Sequence, residues 1–387
     1  LEVFEEFFQV VLTQCMEAGL VDGQTVHLDS SLIQGDVSVD SLKPAFAVLA
    51  RQTFQRLEDA CPRPKDQAPD SSVADVPELS DQPDHAVASA PINAKDRLSS
   101  TDPQARCRKK RSQKVIGYQE HRVTDDAYGI ITASETTDAS IHEGRTLGMM
   151  LDQHKANTDS SPVHAVADKA YGTVENYQYL QEQQITPCIP HKEHAAKNKK
   201  AYPKSKFMYI ADSDYYVCPV GEILRCTSNE PNQQGQLIYH AKASVCRSCE
   251  QCEACFGGQK GVQGKRISRH CGQEYVDWAD TCLSKAQRRQ LLGRRKSVVE
   301  GSFGDAATHH GFKRSRWRGW LRMKIQNRLI ATLQNLRKLM KYGPRRRSGT
   351  TVTALNTLFS AIPSSPIVLC RRLGLLRCYI CAFSGTK

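Results

Sequence analysis

Two β-rich runs in the middle of the chain, residues 115–123 and 129–135, close on the turn signal TDDAYG and limit the fold more than any other feature. A lone hairpin is marginal in water, so neighbouring segments must supply strands or helices that cover it. Upstream, GLVDGQTVHLDSSLI reads as a turn and a short strand over 25–28 that ends at Asp29. Downstream, Leu147, Met150 and Leu151 have helical spacing, and VHAVADKAYG holds a short apolar strand, 163–167, that runs into Asp168. TVENYQYLQEQQ reads as a helix capped by Thr173, and ITPCIP as another strand. Residues 1–20 are amphipathic, and a long helical pattern starts at Ser284, breaks near HHGFKR and resumes over 320–340. Strand, hairpin, helix, strand, helix, strand and late helix together predict an α/β fold with a mixed sheet flanked by helices.

Composition marks the boundaries. Residues 1–60 hold the N-terminal helix and first strand. Residues 61–105 form a Pro/Asp-rich insert with six prolines before residue 95 and no periodicity, which predicts disorder. Residues 106–190 are the core, 191–283 an irregular cysteine-rich insertion, 284–342 the late helices, and 343–387 a weakly patterned tail.

The charge is localised. The formal net charge is +12, yet the window 287–347 alone carries eighteen Lys or Arg against Glu300 and Asp305. That footprint suits a polyanionic partner such as nucleic acid. No run is long and apolar enough to span a bilayer. Fifteen cysteines without a leader-like start suggest a reducing compartment, hence a cytoplasmic, nucleoid-associated protein with no membrane partner.

Asp29 and Asp168 lie at strand ends, where α/β sheets place their sites, and Glu300 lies on the late helix. A bland reading pairs Glu300 with Lys296 one turn earlier, an interaction of about 0.3–0.5 kcal/mol. Three acids in this element order favour a different reading. Converging carboxylates offer hard oxygen ligands to Mg²⁺, and surrounding arginines and lysines can hold a phosphate backbone.

Four blocks resemble the DDE transposases of bacterial insertion sequences, whose catalytic domain is ribonuclease H-like. AGLVDGQTVHLDSSLI resembles the first-Asp block, and STDPQARCRKKRSQKVIGYQEHRVTDDAYGIIT the segment leading into the hairpin. VADKAYGTVENYQYL resembles the second-Asp block, and RRKSVVEGSFGDAATHHGFKRSRWRGWLRMKIQNRLIATLQNLRKL the glutamate block. The resemblance implies a catalytic and Mg²⁺-binding (or Mn²⁺-binding) triad of Asp29, Asp168 and Glu300. It implies DNA contacts from Arg294, Arg295, Lys296, Lys313, Arg314, Arg316 and Arg318. It further implies hydrolysis at transposon ends, strand transfer of the freed 3′-hydroxyl into target DNA, and a homodimer working on double-stranded DNA. Two departures motivate the alternative of a catalytically inactive DNA-binding remnant. Ala307 stands where many relatives carry a lysine, and almost nothing precedes the first-Asp block.

The second constellation is YYVCPVGEILRC with SVCRSCEQCEACFGG. CxxC knuckles pre-shape loops for tetrahedral zinc. The preferred structural Zn²⁺ set is Cys218, Cys246, Cys249 and Cys255, which also resembles the cysteine positions of relatives and leaves Cys252 spare. An iron–sulfur run and unliganded reduced thiols are the competing readings.

Overall fold

The computed structural model describes residues 1–60, 92–93, 96–110, 113–190, 201–228, 230–233, 235–258 and 263–344. Most of the Pro/Asp-rich insert and the tail from 345 lie outside the described residues. The chain divides into two compact units: Leu1–Asp168 together with the chain from Arg288 onward, and Lys169–Gln287.

The elements of the first unit begin with α1 (Glu2–Glu17), β1 (Thr25–Gln34), β2 (Leu42–Pro44), α2 (Ala45–Ala60), β3 (Arg97–Ser99) and β4 (Arg106–Lys110). The long hairpin β5 (Gln113–Asp125) and β6 (Ile131–Asp138) follows, then α3 (Leu147–Thr158) and β7 (His164–Val166). The second unit holds α4 (Val174–Glu182), β8 (Thr186–Cys188), β9 (Met208–Ile210), β10 (Tyr215–Val217), β11 (Ile223–Cys226) and β12 (Gln236–His240). It continues through α5 (Ala243–Ser248), α6 (Cys252–Phe256), β13 (Arg266–His270) and α7 (Gln273–Thr281). From α8 (Lys285–Arg295) the chain passes through a π-helical turn (Lys296–Glu300) directly into α9 (Gly301–His310), and then α10 (Trp320–Tyr342).

The main sheet of the first unit runs β4-β5-β1-β7, with β6 on β5. β1 is its pivot, antiparallel to β5 and parallel to β7. The mixed α/β architecture expected from the sequence is therefore present. β1 is longer than expected: it continues past Asp29 to Gln34, because β5 offers partners as far as Gly117. Gly117 is required there, since a Cβ would overlap the Ile33 carbonyl oxygen.

Helices cover both faces of the sheet. On one face, His154 of α3 meets Thr132 of β6 at 2.8 Å. On the other, Asn327 of α10 donates to Thr136 of β6 at 2.8 Å. That second face buries Ile33, Tyr118, Val299, Phe303, Phe312, Met323 and Ile330 in one cluster. α1 presents Phe8, Val11, Leu12 and Cys15 at helical spacing and packs them with Ile130, Ile131 and Ala331.

The strongest tie between sheet and late helices is polar. Arg122 and Glu120 of β5 are both fully buried, 2.8 Å apart. The Arg122 Nη1 donates onward to Ser302 Oγ of α9 at 2.8 Å and to Gln334 Oε1 of α10 at 2.9 Å. Its guanidinium also lies 4.5 Å from the Phe303 ring centre.

The cysteine-bearing segment needs a correction. It was expected to be irregular, yet the second unit is built on a five-stranded antiparallel sheet in the order β13-β12-β11-β10-β9. Its strands are only three to five residues long. So short a run shows too little alternation to be recognised in a sequence. Tyr216, Leu224, Tyr239 and Ile267 form its core.

Candidate active site

The two aspartates are brought together by strand register. Thr25, Val26 and His27 of β1 face His164, Ala165 and Val166 of β7 in parallel. Asp168 follows two residues past the end of β7. Neighbouring strands stand about 4.8 Å apart, and the Asp168 charge acts on the Asp29 carboxyl, so both acids lie toward one edge of the sheet.

Glu300 reaches that edge from the helical layer. The π-turn changes the spacing of neighbours from i→i+4 to i→i+5, a distortion frequent at functional sites. Residues five apart then share a side. Arg295 Nη2 donates to Glu300 Oε1 at 2.9 Å, and Arg295 Nη1 donates to Asp29 Oδ2 at 2.9 Å. One guanidinium thus bridges the first and third acids. The partner of Glu300 is Arg295, not the Lys296 of the bland reading. Glu300 stays half exposed, at 48%, whereas Asp29 and Arg295 are only 18% and 13% exposed.

The charge balance at Asp29 is unfavourable to its ionised form. Burial holds its carboxyl up at about 6. The Arg295 guanidinium and the Ser30 amide, which donates to it at 2.8 Å, oppose that rise. The negative charges of Asp168 and Glu143 add to it. Glu143 escaped the sequence reading. It sits just before α3 and is fixed by Arg108 at 3.1 Å and Gln119 at 3.0 Å. An acid beside Gly144 was the signal available, and it is a weak one.

Among the described residues, no three His, Cys, Asp or Glu side chains stand together as a ready metal cage. The reason at this edge is visible: Arg295 lies between Asp29 and Glu300. The donor set itself suits a hard divalent cation, since all three acids offer carboxylate oxygens and Asp29 lacks full charge compensation.

The basic residues divide into two groups. Arg294 pairs with Asp126 at 2.8 Å and Arg318 with Asp36 at 3.1 Å. Lys296, Arg314 and Arg316 are exposed and have no ion pair among the described residues. Lys313 is tied to β1 beside Asp29. Its backbone carbonyl accepts the Gln34 amide at 3.0 Å, and its ammonium donates to Ser31 Oγ at 2.5 Å, two residues along β1 from Asp29. Trp320 is structural: its indole donates to the Thr136 carbonyl at 2.6 Å.

In the second unit, Cys218, Cys246, Cys249 and Cys255 line one small cavity with Lys265. Burial pushes the Cys255 thiol up, Lys265 pulls it down, and the thiolates of Cys246, Cys218 and Cys249 push it up further. Cys252 does not line that cavity.

No helix among the described residues is long and apolar enough to cross a membrane. Compared with known families, residues 70–336 match the model of the transposase DDE domain. That span contains Asp168 and Glu300, and Asp29 lies before it. No curated protein matches the chain.

Proposed function

The chain belongs to the transposase DDE domain family, and from that membership we propose that it cuts phosphodiesters at transposon ends and transfers the freed strand into target DNA. The observation that carries the reading is the Arg295 bridge from Asp29 to Glu300, with the Asp168 charge acting on Asp29. Asp29, Asp168 and Glu300 are the residues that would hold Mg²⁺ or Mn²⁺. Two such ions, when bound, supply the positive charge that keeps attacking and leaving oxygens in line. In the metal-free protein Arg295 supplies part of that charge. Once released from the carboxylates, its forked donors suit a DNA phosphate. Lys296, Lys313, Arg314 and Arg316 are taken as further phosphate partners, whereas Arg294 and Arg318 are held by Asp126 and Asp36. Joining two transposon ends needs two such sites, which favours a homodimer on double-stranded DNA.

The test is strand transfer on the repeats that flank the coding segment, with Mg²⁺ or Mn²⁺ and Glu300→Gln alongside. Products from the native chain and their loss in the variant support the reading. Retained, salt-sensitive DNA binding without products would mean an inactive remnant instead.

Metal binding should also report on Asp29. Its carboxyl, at about 6, is protonated below that pH and ionised above it. A cation must therefore displace a proton at acid pH. Titration calorimetry with Ca²⁺, in buffers of different ionisation enthalpy, is expected to show roughly half a proton released per chain at pH 6 from this group. Release should vanish near pH 8. Equal release at both pH values would remove Asp29 from the ligand set.

For the second unit we propose one structural Zn²⁺ on Cys218, Cys246, Cys249 and Cys255. Four thiols lining one cavity supply the number and type of ligands that a structural zinc takes. Metal analysis of chain purified without chelator is expected to give about one zinc per chain. Cys249→Ser should lose it and Cys252→Ser keep it. Equal loss in both variants would refute this set.

A further inference from the structure

A cleft of about 540 Å³ opens on the first unit, between the β5–β6 turn, the π-turn with the start of α9, and the end of α10. That volume falls within the range of small-molecule sites. Its wall has two uncommon properties. Tyr128 of the hairpin turn meets Tyr342 of α10 with ring centres 5.4 Å apart and planes tilted by 49°. Yet these residues remain 44% and 46% exposed. Aromatic pairs that serve packing bury most of their area, whereas this pair keeps ring surface open to solvent.

The second property is uncompensated charge. Arg294, Arg337, Lys338 and Lys341 line the cleft with only Asp126 and Asp305 against them. Arg294 takes Asp126 at 2.8 Å, and Arg337 takes Asp305 at 3.0 Å. Among the described residues no ion pair reaches Lys338 or Lys341. Lys341 Nζ stands 4.8 Å from the Tyr342 ring centre. Lys338 donates to the Gly129 carbonyl. Burial, with Arg122 and Arg337 adding repulsion, holds its ammonium down at about 8 against the pull of Asp305. An anion entering the cleft would relieve that repulsion.

Open aromatic surface beside two unpaired ammonium groups suits a ligand with a flat ring and a negative charge on one frame. An unpaired nucleotide has both, and single-strand binding sites combine base stacking with a basic track. A base inside a duplex is already stacked and cannot offer its face. The cleft also shares the π-turn with the candidate active site: Ser297 and Val298 line it, between Arg295 and Glu300.

We propose that this cleft is a single-stranded DNA subsite, with Tyr128 and Tyr342 as the stacking platform and Lys338 and Lys341 as phosphate partners. It rests on the reading of the chain as an enzyme acting on DNA, and it would take a frayed or newly cut strand near the acids.

Fluorescence anisotropy on the full chain, with a labelled thymidine oligonucleotide and a labelled duplex, tests it. Tyr128→Ala and Tyr342→Ala are each expected to weaken oligonucleotide binding about tenfold and leave duplex binding within about twofold. Tyr128→Phe should restore stacking. Lys341→Gln should reduce the salt slope of single-strand binding by about 0.7. Both tyrosines are well exposed, so unchanged circular dichroism and melting are expected and serve as the folding control. Equal weakening of both ligands, or no change in either, overturns the subsite. A native chain that binds neither ligand would overturn the DNA-acting reading as well, and that result needs no variant.

Discussion

Arg122→Ala is expected to destabilise the first unit by about 3–5 kcal/mol, the largest stability loss anticipated for one side chain here. Arg122 is fully buried and spends its donors on Glu120, Ser302 and Gln334. Removing it strands the Glu120 carboxylate, which is also fully buried and among the described residues keeps only Ser134 as a side-chain donor, at 2.8 Å. The penalty arises mainly from that unpaired charge, with a cavity beside Phe303 and Phe312 adding to it. Replacing both members, Arg122→Met with Glu120→Leu, is expected to recover most of the loss, because the desolvation cost of both ions disappears together. Urea denaturation of the native chain, the single variant and the double variant checks this. A single-variant loss below about 1 kcal/mol would show that the pair is not the tie described.

The largest expected effect on activity belongs to the acids. Glu300→Gln should lower DNA cleavage by roughly a thousandfold or more, because a neutral amide cannot hold the cation that the reaction requires. Stability should barely change, within about 0.5 kcal/mol, because the side chain is half exposed. Asp29→Asn should lose activity as severely with a different signature. The ionised Asp29 carboxylate is disfavoured by burial and by its acidic neighbours, so the amide should leave the metal-free protein at least as stable above pH 6. A folded state that is more stable and inactive is the usual mark of a residue retained for chemistry rather than for folding. If Asp29→Asn kept cleavage within tenfold of native, Asp29 would leave the triad.

What could be read from the sequence, and what could not, follows from the range of each interaction. The hairpin was legible because its turn and its alternation are local. Asp29 and Asp168 were legible as a pair because each follows a short apolar run, and the parallel pairing of β1 and β7 then brings both toward one edge of the sheet. Arg295 was not legible as the bridge. Sequence rules for helical neighbours look three and four residues away, and the π-turn makes the relevant spacing five. Glu143 was hidden for another reason: it acts on Asp29 only through space, from a short segment without periodicity. The five short strands of the second unit were missed because runs of three to five residues are too brief to stand out.

The spread of the three acids along the chain has a consequence for synthesis. Asp29 and Asp168 can take their places on neighbouring strands early, whereas Glu300 lies more than a hundred residues further on. At about 5–20 residues per second, a ribosome needs roughly 7–26 seconds to cover that distance. Until residue 295 is made, the nascent chain holds two of its three acids and neither Arg295 nor α9. On the proposed reading, a chain that cuts DNA lacks part of its site while it is still being translated, and premature termination before residue 300 yields a product without Glu300.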